Sequence, residues 1–145
     1  MSALPELEKA EKLVKLQFLS RLNNGTFILI IYEVNMAIYM FKGTYTDASI
    51  KAMVKKPVDR SNLISKACKA FGGKLLSIYM AFGDDDVIVI AELPDDITAA
   101  AFSAQIAVAG TASSFSTTQL LSMKDWVKAC KKAKSVSSGY ASPAS

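Results

Sequence analysis

Glu92, Asp86, Tyr79 and Ser77 are the residues of this chain whose types and spacing could do chemistry. They lie in the stretch Lys74 to Leu93, two apolar runs facing each other across Gly83, Asp84, Asp85 and Asp86, which reads as a β-hairpin. With a four-residue loop at 83–86, Phe82 stands opposite Val87 and Tyr79 opposite Ile90, and the pleat sorts the side chains onto two faces. One face carries Leu76, Ile78, Met80, Phe82, Val87, Val89 and Ala91, a uniform surface for packing helices. The other carries Leu75, Ser77, Tyr79, Ala81, Asp86, Ile88, Ile90 and Glu92, which mixes apolar surface with a hydroxyl, a phenol and two carboxylates. A mixed face suits a small-molecule cavity between two sheets, lined by Ser77, Tyr79, Ile88 and Ile90. Glu92 or Asp86 would be the base there, and Tyr79 the donor to a developing oxyanion. The competing reading puts Ser77 and Glu92 at the wet rim of an interface between two copies of the chain.

Other chemistry is excluded by what the chain lacks. It has no histidine, which removes Ser-His-Asp and Cys-His nucleophiles, histidine-ligated haem and every imidazole-based zinc or iron site. Cys68 and Cys130 form no Cys-x-x-Cys pair and fall in helical patterns, so both read as reduced thiols that pack as small hydrophobes. Asp84, Asp85 and Asp86 lack the alternating ligands of a calcium loop and read as a solvated turn. Gly43 and the pair Gly72-Gly73 lack the spacing of a phosphate-binding loop. These residues therefore predict neither a cofactor nor a metal.

The net charge of +4 lies entirely after Met123, where Lys124, Lys128, Lys131, Lys132 and Lys134 face only Asp125. Lysines without arginines on so short a helix would make weak phosphate contacts, which argues against nucleic acid as a partner. No run reaches the length of a membrane span, and Glu6 and Glu8 precede any apolar run, so the expected location is cytoplasmic and no membrane partner is expected.

The elements that must position these residues follow in order. Residues 4–22 alternate leucines with charges at helical spacing and predict a helix ending near Asn23, Asn24 and Gly25. Phe27 to Val34 has strand composition, and so does Ala37 to Thr44; the junction Glu33-Val34-Asn35-Met36 is poor turn chemistry for the reversal two successive strands need. Thr46 and Asp47 open a short helix to Val54, and Pro57 opens a longer one to Phe71. One apolar stripe joins Ile50, Met53, Val54, Leu63, Ile64, Ala67, Cys68 and Phe71. After the hairpin, Pro94, Asp95 and Asp96 begin a helix closed by Gly110, whose small residues Ala99, Ala100, Ala101, Ala104 and Ala107 allow close approach to a sheet. Ser113 to Leu121 is a polar edge strand, Met123 to Ala133 a basic helix with Trp126, and residues 135–145 a low-complexity tail predicted to be disordered. From residue 36 the order is β-α-β-β-α-β, an α+β ferredoxin-like sandwich with helices on one face of a four-stranded sheet.

Met36-Ala-Ile-Tyr-Met-Phe-Lys-Gly-Thr-Tyr-Thr-Asp47, Gly72-Gly73-Lys74-Leu75, Gly83 to Ile90 and Pro94-Asp95-Asp96 together resemble the GYD domain family over about residues 36–128. The family's Gly-x-Tyr-Asp motif falls on Gly83 to Asp86, with Asp85 where the tyrosine stands. The resemblance implies a subunit of the dimeric α/β barrel type, in which two sheets pack face to face, and so a homodimer or higher homo-oligomer. It supplies no activity.

Two functions fit these residues: a non-enzymatic or small-ligand-binding oligomeric module, with a small apolar compound as the ligand where there is one, or a cofactor-independent enzyme acting on a small apolar carbonyl or phenolic substrate. Three regions are expected, an N-terminal helix–strand extension at 1–35, a ferredoxin-like domain at 36–134 and the tail at 135–145. Residues 1–35 are either a genuine extension or translated sequence upstream of Met36 as initiator. Intact mass of the protein from its own cells separates the two: a species beginning at Met36 is expected from the second reading, and a dominant species beginning at Ser2 would end it.

Overall fold

Strand β5, Val87–Leu93, buries Val87, Val89, Ala91 and Leu93 and leaves Ile88, Ile90 and Glu92 between them half-buried. The computed structural model describes residues 36–140 in full and residues 13–21 and 27–35 as strands. β5 pairs antiparallel with β3 (Ala37–Tyr45) on one side and β4 (Lys74–Met80) on the other. β6 (Ala112–Leu120) pairs antiparallel with the free side of β3, which gives the order β4-β5-β3-β6. Helices α1 (Asp47–Lys55) and α2 (Ser61–Ala70) join β3 to β4, α3 (Asp96–Val108) joins β5 to β6, and α4 (Met123–Ser135) follows β6. The chain is thus α+β, with an open antiparallel four-stranded sheet in an order compatible with the ferredoxin-like arrangement.

One face of that sheet forms the core. Tyr39 and Phe41 of β3 and the inward side of β5 meet Cys68 of α2 and Ala99 and Phe102 of α3. The Phe102 ring packs at 5.0 Å from Phe41 and edge-on at 5.6 Å from Phe71, a geometry that aromatic quadrupoles favour. Helix ends follow the chemistry of their residues. The Thr46 hydroxyl accepts the Ser49 amide, Asp95 accepts the Thr98 amide at 2.7 Å, and Ser122 accepts the Asp125 amide. Gly72, at φ 73°, ends α2.

Several local expectations are overturned. Residues 13–21, placed in a helix by their spacing, form strand β1 (Leu13–Arg21), which pairs in register with β2 (Phe27–Asn35). A strongly β-prone neighbour such as Phe-Ile-Leu-Ile-Ile-Tyr overrides a weak helical period. The rest of the predicted helix, its end at 23–25 and residues 141–145 of the tail lie outside the described residues; Ser135 belongs to α4, and residues 136–140 adopt neither helix nor strand. No reversal is needed near Met36, because among the described residues β2 pairs with β1 in a separate two-stranded sheet.

Helix α2 begins at Ser61 rather than Pro57, since the Asp59 carboxylate takes the Ser61 amide at 2.8 Å and starts the helix there. The apolar stripe holds only over the later part of α2, at Ile64, Ala67 and Cys68: α1 buries nothing, Ile50 and Val54 stay exposed, and so does Leu63 at the start of α2. On α3 the residues turned to the core are Ala99, Phe102 and Ile106, while Ala100, Ala101, Ala104 and Ala107 are exposed. Cys130 is exposed, not packed; Cys68 is buried, and burial pushes its thiol pKa up.

Gly73 is where α2 turns into β4. A Cβ there would stand 2.2 Å from the Glu92 carbonyl oxygen and 2.6 Å from a Leu93 methyl. Both are fixed in the sheet, so Gly73→Ala must push β4 off β5. We expect a loss of about 2 kcal/mol or more in denaturant unfolding, at the upper part of the range for overpacking; a variant as stable as the parent would contradict this packing.

Candidate functional site

The helix-free face of the sheet can be laid out as rows from the pairing register. Lys74, Glu92, Ile38 and Leu120 form one row, Ser77, Ile90, Met40 and Thr118 the next, and Tyr79, Ile88, Lys42 and Ser116 the third. Ser77, Tyr79, Ile88, Ile90 and Glu92 therefore do share one surface. Its centre, Ile88, Ile90, Ile38 and Met40, is only half-buried, and Tyr79 is 64% exposed.

The hairpin register differs from the one expected. Tyr79 faces Ile88 and Met80 faces Val87, and the closing pair is Ala81 with Asp86, at 2.8 Å. Each strand has moved by one residue relative to the turn, which preserves the faces because alternation has period two. A bulge between Leu75 and Ser77 breaks that alternation, so Leu75 joins the core side opposite Ala91 and Leu76 is exposed. Phe82 leaves the strand and is fully exposed in the turn, where the expectation had it packing helices.

The acidic turn is tied to β3 on four sides. Asp86 accepts the Tyr45 amide on its carboxylate at 2.8 Å and donates its own amide to the Gly43 carbonyl at 2.9 Å. Lys42 donates to the Asp85 carboxylate at 2.5 Å, and the Thr44 hydroxyl donates to the Asp84 carbonyl at 2.9 Å. Asp86, a candidate base, thus has one carboxylate oxygen engaged in holding the turn. Among the described residues no His, Cys, Asp and Glu side chains gather into a group able to hold a metal, and no helix is long and apolar enough to cross a membrane.

Two further sites were not singled out by the sequence. Tyr39 donates its hydroxyl to Asp96 at 2.6 Å, joining β3 to the start of α3; burial first, then that hydrogen bond and the charges of Asp96 and Asp95, push its pKa up to about 12. On the helix side of the sheet a cavity of about 230 Å³ opens between α2, α3 and the ends of β3 and β5, walled by Val89, Ile64, Phe102, Ile106 and Phe115. Tyr45 and Arg60 line it and also line two adjoining grooves of about 410 and 340 Å³ along the 56–60 connector. Ser77, Ile88, Ile90 and Glu92 line none of the three; Tyr79 lines the smaller groove. The signal that could have pointed to this wall is Gly43, a glycine inside an apolar strand, whose missing side chain lets the Phe115 ring approach the β3 backbone closely.

Fold and sites together define a small α+β domain with a one-sided helical cover, a carboxylate-clasped β4–β5 turn and an apolar helix-side cavity. The chain belongs to the GYD domain family, whose model matches residues 39–130. Neither a curated protein nor a solved structure matches it.

The Tyr39 shift makes a pH prediction. A phenol that ionises near 10.0 when unfolded and near 12 when folded holds its proton more tightly in the fold, so its contribution is full below about pH 10 and lost as pH rises toward about 12. Tyr39→Phe should flatten that alkaline limb in urea unfolding between pH 9 and 12; an unchanged limb would contradict it.

Proposed function

We propose that this GYD-domain protein is a homodimeric module that binds a small, mostly apolar ligand and carries out no chemistry of its own. The observation that carries the proposal is the helix-free face, whose central rows of Ile38, Met40, Ile88 and Ile90 lack cover from the chain's described helices. Two sheets packed through such faces would bury those rows, as the dimeric α/β barrel arrangement does. A second copy suits the face better than a charged partner because its charges balance: Lys42 is paired with Asp85, and Lys74 stands beside Glu92 in register. An isologous interface needs that kind of neutral, self-complementary patch. The non-enzymatic reading rests on the placement of the two candidate bases. Asp86 is committed to the turn, and Glu92 stands at the Lys74 end of the face, where a rim position suffices to explain it.

Ile88→Arg tests the dimer. The substitution places a cation next to Lys42, in the middle of the proposed interface, at a cost of several kcal/mol if it is buried unpaired. Sedimentation velocity should show a dimer for the parent and monomer or aggregate for the variant; a parent that sediments as a stable monomer would overturn the reading.

A further inference from the structure

We infer that the helix-side cavity binds a small monocarboxylate, with its apolar body between α2 and α3 and its carboxylate on Arg60. This deepens the ligand-binding reading above and rests on it only for there being a ligand; it does not depend on the dimer.

The inner wall is core. Val89 and Phe102 are buried, Ile64, Ile106 and Phe115 pack against them, and these side chains offer the cavity no hydrogen-bonding atom. Gly43 lets the Phe115 ring lie directly on the β3 backbone, where a Cβ would stand 3.0 Å from it, and so forms part of the wall. At about 30 Å³ for each water-sized unit, 230 Å³ admits about eight heavy atoms, so the body of the ligand is smaller than a drug-sized molecule.

The mouth is cationic. Arg60 is exposed and lines the cavity and both adjoining grooves; its carbonyl accepts the Ile64 amide, but its guanidinium makes no hydrogen bond or ion pair to any described residue. Lys56 lies along the larger groove, its ammonium likewise without a partner among the described residues. Asp59, the acidic residue that lines both grooves, accepts the Ser61 amide at 2.8 Å, and Asp86 accepts the Tyr45 amide. A guanidinium presents a planar fork that matches a carboxylate, and the Tyr45 hydroxyl, which bonds no described residue, is a second donor at the same edge. No Gly-rich loop of backbone amides joins Arg60, which favours a carboxylate over a phosphate.

The test is calorimetric titration of the full chain with straight-chain carboxylates from butanoate to dodecanoate, with 1-octanol as the uncharged control. Affinity should rise with chain length and level off near octanoate, where the cavity is full, and octanoate should bind at least about tenfold more tightly than octanol, as charge-assisted hydrogen bonds allow. Arg60→Gln, at an exposed position whose side chain caps nothing, should remove that preference and leave octanol binding unchanged. Octanoate binding retained in Ile88→Arg supports a helix-side site. Binding lost in Ile88→Arg but untouched by Arg60→Gln would put the ligand between two sheets, overturning this inference while leaving the ligand-binding reading intact. No binding across the whole series, with the dimer present, would overturn the carboxylate site alone.

Discussion

The contact of Phe102 with Phe41, their ring centroids 5.0 Å apart and both rings 1% exposed, decides which side of the sheet is interior. Phe41 is on the inward row of β3, flanked by Tyr39, and Phe102 is the residue through which α3 reaches that row. Once they meet, Val87, Val89, Ala91 and Leu93 must also point inward, because β5 is paired residue for residue with β3. The same registry turns Ile38, Met40, Ile88 and Ile90 outward. A sheet whose central strands are apolar on both sides and helically covered on one is incomplete as a single chain, and the proposed dimer follows from that imbalance.

The cavity arises from the same packing where it falls short. Along the inward row of β3, Phe41 fills the centre and Tyr45 stands at the end, but Gly43 between them has no side chain. The neighbouring positions on the helices are small, with Ala67 on α2 and Ala109 after α3. Protein interiors ordinarily close such gaps, since each lost contact costs dispersion energy. A gap next to an exposed arginine whose guanidinium has no partner among the described residues is therefore a place where a ligand would stabilise the fold as well as bind.

The acidic turn shows how a run of like charges is accommodated. Asp84, Asp85 and Asp86 are adjacent, yet the backbone carbonyl of the first and the carboxylates of the other two each find a donor on β3: Thr44, Lys42 and the Tyr45 amide. Asp85 in the motif's tyrosine position thus gains an ion pair with a lysine beside it. The clasp fixes the end of β3, and with it Tyr45, at the edge of the cavity.

How much of this was legible in the residues depends on whether the deciding interactions are local. The order of elements from β3 onward, the glycine stop at 72 and 73, the acidic caps of α3 and the sharing of one face by Ser77, Tyr79, Ile88, Ile90 and Glu92 were all readable, because capping, turn chemistry and strand alternation act within a few residues. The hairpin register and the Leu75 bulge were not, since a shift of one residue on each strand leaves the same faces and only the bonds of Asp86 to Gly43 and Tyr45 select among the alternatives. Strand β1 carries leucines three residues apart, the spacing of a helix face, and only its pairing with β2 decides that it is a strand. The helix-side cavity was least visible of all. Gly43 comes from β3, Arg60 from the connector before α2 and Phe102 from α3, and nothing in their spacing along the chain says that they meet; that is settled by the way α2 and α3 lie across the sheet.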